Sequence, residues 1–499
     1  MTRQSNRRSG RLLGVTALAC IAGCTVGPDF KSPPAPSASG YVPTPIVTTS
    51  KTPDTFAGAA QQFSAGQDIA ADWWTLFHSA PLNALIERSL KNNPDIKAAQ
   101  AALSVAREGV LAQRGAYYPS VSAGVAVTRQ RTPAELQPTP NSGALNFSLF
   151  TPQVSVSYVP DVFGLNHRTV EYLNTQAEVA RYAVVATQIT LTSNIVAAAL
   201  QEASLRAQID ATRQLIHVNS GILDMLRNQL GKGYAGRLDV AAQESQLAQI
   251  AATLPPLLKQ LAQQRDLLAV LSGGYPDQAL PEEFTLFSLQ LPSDLPLSLP
   301  SRLVEQRPDI KQAEENLHAA SAQIGIAVAN RLPNITLTAD AGNSALALGH
   351  IFNGNTLFWD LGAALTQPIY DGGMLIHKEK AARFAYDEAA AQYRSAVLTA
   401  FQNVADTLNA LEQDADALKA AAQSAAAAKV TFDLTRRQVE GGYAGALALS
   451  TAEIAYQQAV LNLVQAQSNR FMDTAALFQA LGGGWWNTPA AAPVAASDH

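Results

Sequence analysis

The chain has 499 residues, 47% hydrophobic and 15% charged, with 35 Lys and Arg against 40 Asp and Glu for a net charge of −5. Soluble domains average roughly 25% charged residues, and the ordinary apolar content excludes disorder for most of the chain. The acidic balance argues against nucleic acid as a main partner, because phosphate binding needs a basic face.

Both cysteines, Cys20 and Cys24, lie in the first 24 residues, so the body can hold no disulfide framework and no Cys-based metal site. The seven histidines form no His-x3-His pair, so metal and cofactor chemistry lack support. No run approaches the roughly 18 apolar residues of a membrane-spanning helix.

At the N-terminus, Arg3, Arg7, Arg8 and Arg11 form a basic region before the apolar stretch from Leu12. Small residues then lead to Cys24, the pattern of a secretory signal. Ile21-Ala22-Gly23-Cys24 resembles the bacterial lipoprotein box, which implies cleavage after residue 23 and an S-diacylglycerol and N-acyl chain on Cys24. Loss of four Arg would leave 31 basic against 40 acidic residues, or −9. The acyl chains exceed the roughly two-signal requirement for stable anchoring in a lipid membrane.

The remainder is an internal duplication. Asn93-Pro94-Asp95-Ile96-Lys97 recurs as Arg307-Pro308-Asp309-Ile310-Lys311, and Pro119-Ser120-Val121-Ser122 as Pro333-Asn334-Ile335-Thr336. Gly233-Tyr234-Ala235-Gly236 recurs as Gly442-Tyr443-Ala444-Gly445, and Leu271-Ser272-Gly273-Gly274 as Leu481-Gly482-Gly483-Gly484. The period of about 210 residues far exceeds that of a solenoid repeat and marks a duplicated half-molecule. The expected segments are a signal peptide over 1–23, an extended N-terminal segment over 24–60, a first repeat over 61–274, a linker over 275–300, a second repeat over 301–484 and a tail over 485–499.

In chain order, each repeat opens with a helical stretch, 94–117 and 308–331. The repeated Pro-Asp suits a helix start, with Pro in the first turn and Asp favoured there. Two alternating segments follow in each half. Val121, Val125, Val127, Val154 and Val156 interleave with Ser, Gly and Thr in the first, and Ile335, Leu337, Leu357, Trp359, Leu361 and Leu365 form the apolar set of the second. Runs of about ten residues with this period fit membrane strands with a lipid face and a wet face. Polar loops, 129–147 and 342–355, separate the paired strands.

Next comes an unusually long helical stretch. Residues 165–231 hold no Pro and, before the last residue, one Gly, Gly221; residues 374–440 hold neither. At 1.5 Å per residue each predicts a helix of roughly 100 Å, the pattern of a coiled coil or helical tube. Return helices are expected over 238–272 and 447–481. Pro255-Pro256 is expected to interrupt the first, since proline breaks or kinks a helix interior.

Two hairpins give four strands per chain, yet a lipid bilayer tolerates no open sheet edge. Closed barrels begin at about eight strands. The chain must therefore oligomerise or not span; two copies would give eight strands and three would give twelve.

The ordered set Cys24-Thr25-Val26-Gly27-Pro28-Asp29-Phe30, Trp73-Trp74-x-x-Phe77, Asn92-Asn93-Pro94-Asp95, Leu299-Pro300-Ser301-Arg302-Leu303, Arg307-Pro308-Asp309-Ile310, Pro368-Ile369-Tyr370-Asp371-Gly372-Gly373 and Leu481-Gly482-Gly483-Gly484-Trp485 resembles the TolC-like outer-membrane factors. The resemblance is to the NodT-type lipoproteins of resistance-nodulation-division (RND) efflux systems. It implies a homotrimer with a twelve-stranded membrane β-barrel and a long α-helical barrel forming a periplasmic tunnel. The partners it implies are a periplasmic adaptor, an inner-membrane RND-type transporter and outer-membrane lipid. The duct itself would be passive, with no enzymatic activity and no cofactor beyond the lipid on Cys24.

The family closes its periplasmic end with an iris of helix tips, often bearing acids after the second tip. Here Ala444 to Thr451 carries no Asp, while the first tip keeps Arg237 and Asp239. Apolar closure by Leu447 and Leu449, with Asp239 as nearest acid, is therefore expected. Gly233, Tyr234, Ala235, Gly236, Gly442, Tyr443, Ala444 and Gly445 are the candidate adaptor-docking tips. The G-x-G-x-x-G match at Gly231 to Gly236 follows a long helix rather than a strand, which argues against a dinucleotide site. The trailing alternatives are the same duct serving type I protein secretion or metal export, and a non-spanning periplasmic coiled-coil lipoprotein.

Overall fold

A computed structural model describes residues 25–38, 40–136, 143–278 and 280–487. Cys24, the signal segment and the tail beyond 487 lie outside the described residues. The elements in order are β1 (Gln62–Ala65), α1 (Ala80–Asn92), α2 (Pro94–Arg114), β2 (Ser120–Thr132), β3 (Leu145–Tyr158), α3 (Leu165–Gly231) and α4 (Arg237–Leu271). There follow β4 (Asp294–Leu297), α5 (Pro300–Gln306), α6 (Pro308–Ala329), β5 (Asn334–Asn343), β6 (Leu357–Thr366), α7 (Met374–Glu440) and α8 (Ala446–Ala480). The long helices have 67 residues each and the return helices 35 each, so the duplication survives to the residue.

The chain divides into two compact units. The first, residues 1–33, 102–180 and 313–393, contains one antiparallel sheet in the order β2-β3-β5-β6. Its central pairing, β3 with β5, joins the two repeats, and β2 and β6 are left as edges among the described residues. The second unit, residues 34–101, 181–312 and 394–499, is built on helices. Along α7, Val397, Ala400, Val404, Leu408, Leu411, Ala415 and Leu418 are buried. These steps of three and four average to the 3.5-residue period of a coiled-coil seam. The small Ala positions let neighbouring helices approach closely. In α1 the buried stripe Leu82, Leu85, Ile86 and Ser89 has helical spacing. Near it Trp73 stacks on Phe478 at 5.2 Å and Phe77 lies 6.3 Å from Phe471. This aromatic cluster gives Trp73 a packing role.

Two features differ from the sequence reading. Pro255 and Pro256 lie inside α4 without interrupting it. Both prolines are on the exposed side, so the carbonyls they leave without donors can be hydrated rather than stranded in a core. A parallel pair also appears, Gln62–Ala65 with Asp294–Leu297, tying the start of the first repeat to the inter-repeat linker. Four residues per strand are too few for alternation to register in the sequence.

Candidate functional site

In the first unit, strand register sorts the side chains onto two faces. Val121, Val125 and Val127 pair with Val156, Pro152 and Phe150. Val154 and Tyr158 pair with Ala341 and Leu337, and Ala341 and Ala339 with Trp359 and Leu361. These residues share one face, because directly paired residues point the same way. The opposite face carries Ser122, Ser155, Thr338, Asp340 and Asp360, with Leu145, Phe147, Leu149 and Phe358 among its apolar exceptions. There Ser155 hydrogen-bonds Asp340. An apolar belt backed by a hydroxyl- and carboxylate-bearing face is the section of a membrane pore wall.

Each long helix begins at an aspartate. Asn166 N and His167 N donate to the Asp161 carboxylate at 2.9 and 2.7 Å. Gly373 N and Leu375 N donate to Asp371 at 2.8 Å, which holds that carboxyl below its usual range. Both carboxylates satisfy N–H groups that no helical carbonyl can reach.

The segment after Cys24 is strapped onto the same unit. Gly27 (φ +95°) meets Gly325 so closely that a Cβ on Gly27 would sit 2.4 Å from the Gly325 Cα. The buried Arg168 donates to the carbonyls of Val26 and Gly27 and pairs with Asp29 at 2.9 Å and Glu171 at 2.7 Å. Phe30 stacks on His318 at 4.3 Å.

The helix tips belong to the second unit. Tyr234 N donates to Gln229 O at 2.9 Å and Tyr443 N to Gln438 O at 2.8 Å. These six-residue closures, with Gly233 and Gly442 at φ +79° and +75°, are Schellman caps. Both tyrosines are thereby thrust outward, 81% and 89% exposed. Ala235, Gly236, Ala444 and Gly445 complete the turns, and Tyr234, Ala235, Glu440, Ala444 and Gly445 line one cleft.

The tip residues split by position. Leu238 and Leu447 occupy equivalent places and are 81% and 82% exposed. The equivalent pair Val240 and Leu449 is buried in a cluster with Ile222, Leu223, Leu226, Phe432 and Val439. Leu449 is therefore committed to the chain's own core, and Leu447 alone of the two expected gate leucines is presented outward. Asp239 accepts from Gly236 N at 2.8 Å and caps α4, while Arg237 is exposed.

Two buried ionisable groups escaped the sequence reading. Arg470 donates to the carbonyls of Ala57 and Ala59 at 2.7 and 2.9 Å, to Gln61 Oε1 at 2.8 Å and to Thr49 Oγ1 at 3.1 Å. Burial pulls its pKa down. Glu453 is fully buried beside the tip cluster, and burial pushes its carboxyl up to about 7. Neither position stands out in an Ala- and Gln-rich helix; only partners hundreds of residues away or on other helices reveal them.

A two-faced sheet with open edges, in one chain with duplicated 67-residue helices and capped tips, defines a subunit of an outer-membrane duct. Comparison with known proteins agrees. The model of the family described as "Outer membrane efflux protein" matches residues 85–274 and 299–483, one match in each repeat. The toluene efflux pump outer membrane protein TtgF of Pseudomonas putida is 30% identical over 496 residues, covering 95% of this chain and 97% of that protein. The outer-membrane channel OprN superposes with a TM-score of 0.82 at 23% identity, covering 93% of this chain and all of that one. The outer membrane protein VceC of Vibrio cholerae gives 0.77 at 26% identity over 84% of this chain and all of that one. The chain belongs to the outer membrane efflux protein family. It is an outer-membrane efflux channel protein, of a family of ducts rather than enzymes.

Proposed function

We propose that three copies of this chain close a twelve-stranded barrel and a helical tunnel that serves as the exit duct of a three-component pump. The observation that carries the reading is the four-stranded sheet with one apolar face, one polar face and both edges unpaired among the described residues. A bilayer requires those edges to be paired, and a partner copy supplies complementary edges. An inner-membrane RND-type transporter provides the energy, and a periplasmic adaptor docks on the turns at Tyr234 and Tyr443. Cargo is small organic compounds, in keeping with the toluene pump named for the relative TtgF. Cys24 carries the acyl anchor, and the strap from Val26 to Phe30 holds that anchor to the barrel's unit.

Closure at the tips rests on the outward pair Leu238 and Leu447, with Asp239 the nearest capping acid. The test is reconstitution of the purified protein in planar lipid bilayers, together with restoration of efflux in a strain lacking its own outer-membrane component. Discrete conductance and restored efflux are expected. A membrane-bound protein that conducts nothing would contradict the duct.

A further inference from the structure

The tip holds a buried acid that its packing leaves unanswered. Glu453, on the second turn of α8, has no exposed surface. Neither carboxylate oxygen has a hydrogen-bond partner among the described residues. The polar groups nearest to it are Asn219 on α3 and Gln243 on α4, and both are themselves buried. Gln243 Nε2 donates to Asn219 Oδ1 at 2.9 Å and Asn219 Nδ2 to Leu215 O at 2.9 Å, so one N–H of each amide is already committed, and what the two amides offer Glu453 favours its charged form less than burial disfavours it. One turn before Glu453, Leu449 packs into the apolar cluster drawn from α3, α4 and α7. Glu453 thus sits where the second repeat's hairpin meets the first repeat's hairpin. Any sliding of one against the other would bring water to it.

No charge offsets an ionised Glu453. On α3 and α4, Arg227 pairs with Glu244 at 2.8 Å and with Asp224 at 3.7 Å, and Asp239 is held by Gly236 N. On α7, Lys429 pairs with Asp433 at 2.7 Å and Arg436 with Glu440 at 3.5 Å. Lys232, Arg237, His217 and Arg437 are exposed. On α8 itself the nearest ionisable neighbour is Tyr456, which stacks on Phe432 at 5.5 Å. A buried carboxylate without a cation or well-formed hydrogen bonds strongly disfavours its charged form.

We propose that packing of the two hairpins at the tip is proton-linked through Glu453, so that the packed tip binds a proton which the loosened tip releases. The sign follows from which state holds the proton. With the packed carboxyl raised to about 7 and the hydrated one at the ordinary carboxylate value, the packed tip carries more protons between those limits. Packing is therefore firmest at acid pH, weakens as pH rises toward 7, and is level above that. The largest slope is about tenfold in the loosening equilibrium per pH unit and per protomer.

The test is amide hydrogen exchange over residues 440–456 of the intact assembly, corrected for intrinsic exchange, beside channel opening in bilayers, both from pH 5 to 8. The wild type should lose protection and open more often up to pH 7, then level off. Glu453→Gln, nearly isosteric and never charged, should keep a protected, pH-independent tip, and Glu453→Asp should restore the slope. A wild type without slope, or a Glu453→Gln variant that keeps the wild-type slope, would overturn the proposal. The conductance readout rests on the duct reading. Silence at every pH would count against the duct, while the exchange data would still decide the proton link.

Discussion

Arg470 shows how a single side chain can order a long segment. Its guanidinium is the common donor for Ala57 O, Ala59 O, Thr49 Oγ1 and Gln61 Oε1. Ala57 is held at φ +58° while its carbonyl meets that donor, a backbone conformation that persists only when its surroundings enforce it. Arg470→Leu strands several acceptors, and we expect a loss of about 3 kcal/mol in stability by denaturant titration. Protease sensitivity over residues 48–61 should rise in parallel; an unchanged midpoint would count against this role. The strap gives a second prediction. Gly27→Val places side-chain atoms where Gly325 already stands, so cleavage of residues 25–33 by added protease should increase, with the membrane-extracted oligomer otherwise intact. The Gly27-Pro28-Asp29-Phe30 motif is visible in the sequence, but Gly325, Arg168 and His318 are not, because the strap's partners lie far along the chain.

Among the elements, the long helices were legible because their signal is long. Sixty-seven residues without an internal Pro admit little else, and the Asp161 and Asp371 caps fix where they start. The Tyr-Ala-Gly turns were legible because Gly233 and Gly442 recur at equivalent ends. The continuity of α4 through Pro255-Pro256 was not, since it depends on which side those prolines face. Nor was the division of labour between Leu447 and Leu449, which turns on two residues of helical phase. That division makes a sharp prediction. Leu449→Ser should destabilise the tip by about 3 kcal/mol through loss of buried apolar volume, read as faster amide exchange in the surrounding helices. Leu447→Ser should leave stability within about 0.5 kcal/mol but raise single-channel conductance. Equal effects of the two substitutions would contradict the split. On the docking role proposed for the turns, replacing Tyr234 and Tyr443 together by Arg should abolish restored efflux while preserving conductance; unchanged efflux would contradict that role.

At the scale of the whole molecule, alternation located all four membrane strands, and register then resolved them into an apolar and a polar face. The pairing of β3 with β5, which fuses the two repeats into one sheet, could not be read from alternation, since it is set by contacts between halves. Among the described residues of one chain that sheet ends at β2 and β6 with unpaired backbone groups, and a bilayer penalises each of them by several kcal/mol. Copy number is therefore the quantity on which the account turns. Native mass spectrometry of the membrane-extracted protein, with detergent stripped in the gas phase, measures it directly. Three copies are predicted, closing twelve strands. A monomer that survives mild extraction would leave four strands with open edges and contradict the duct.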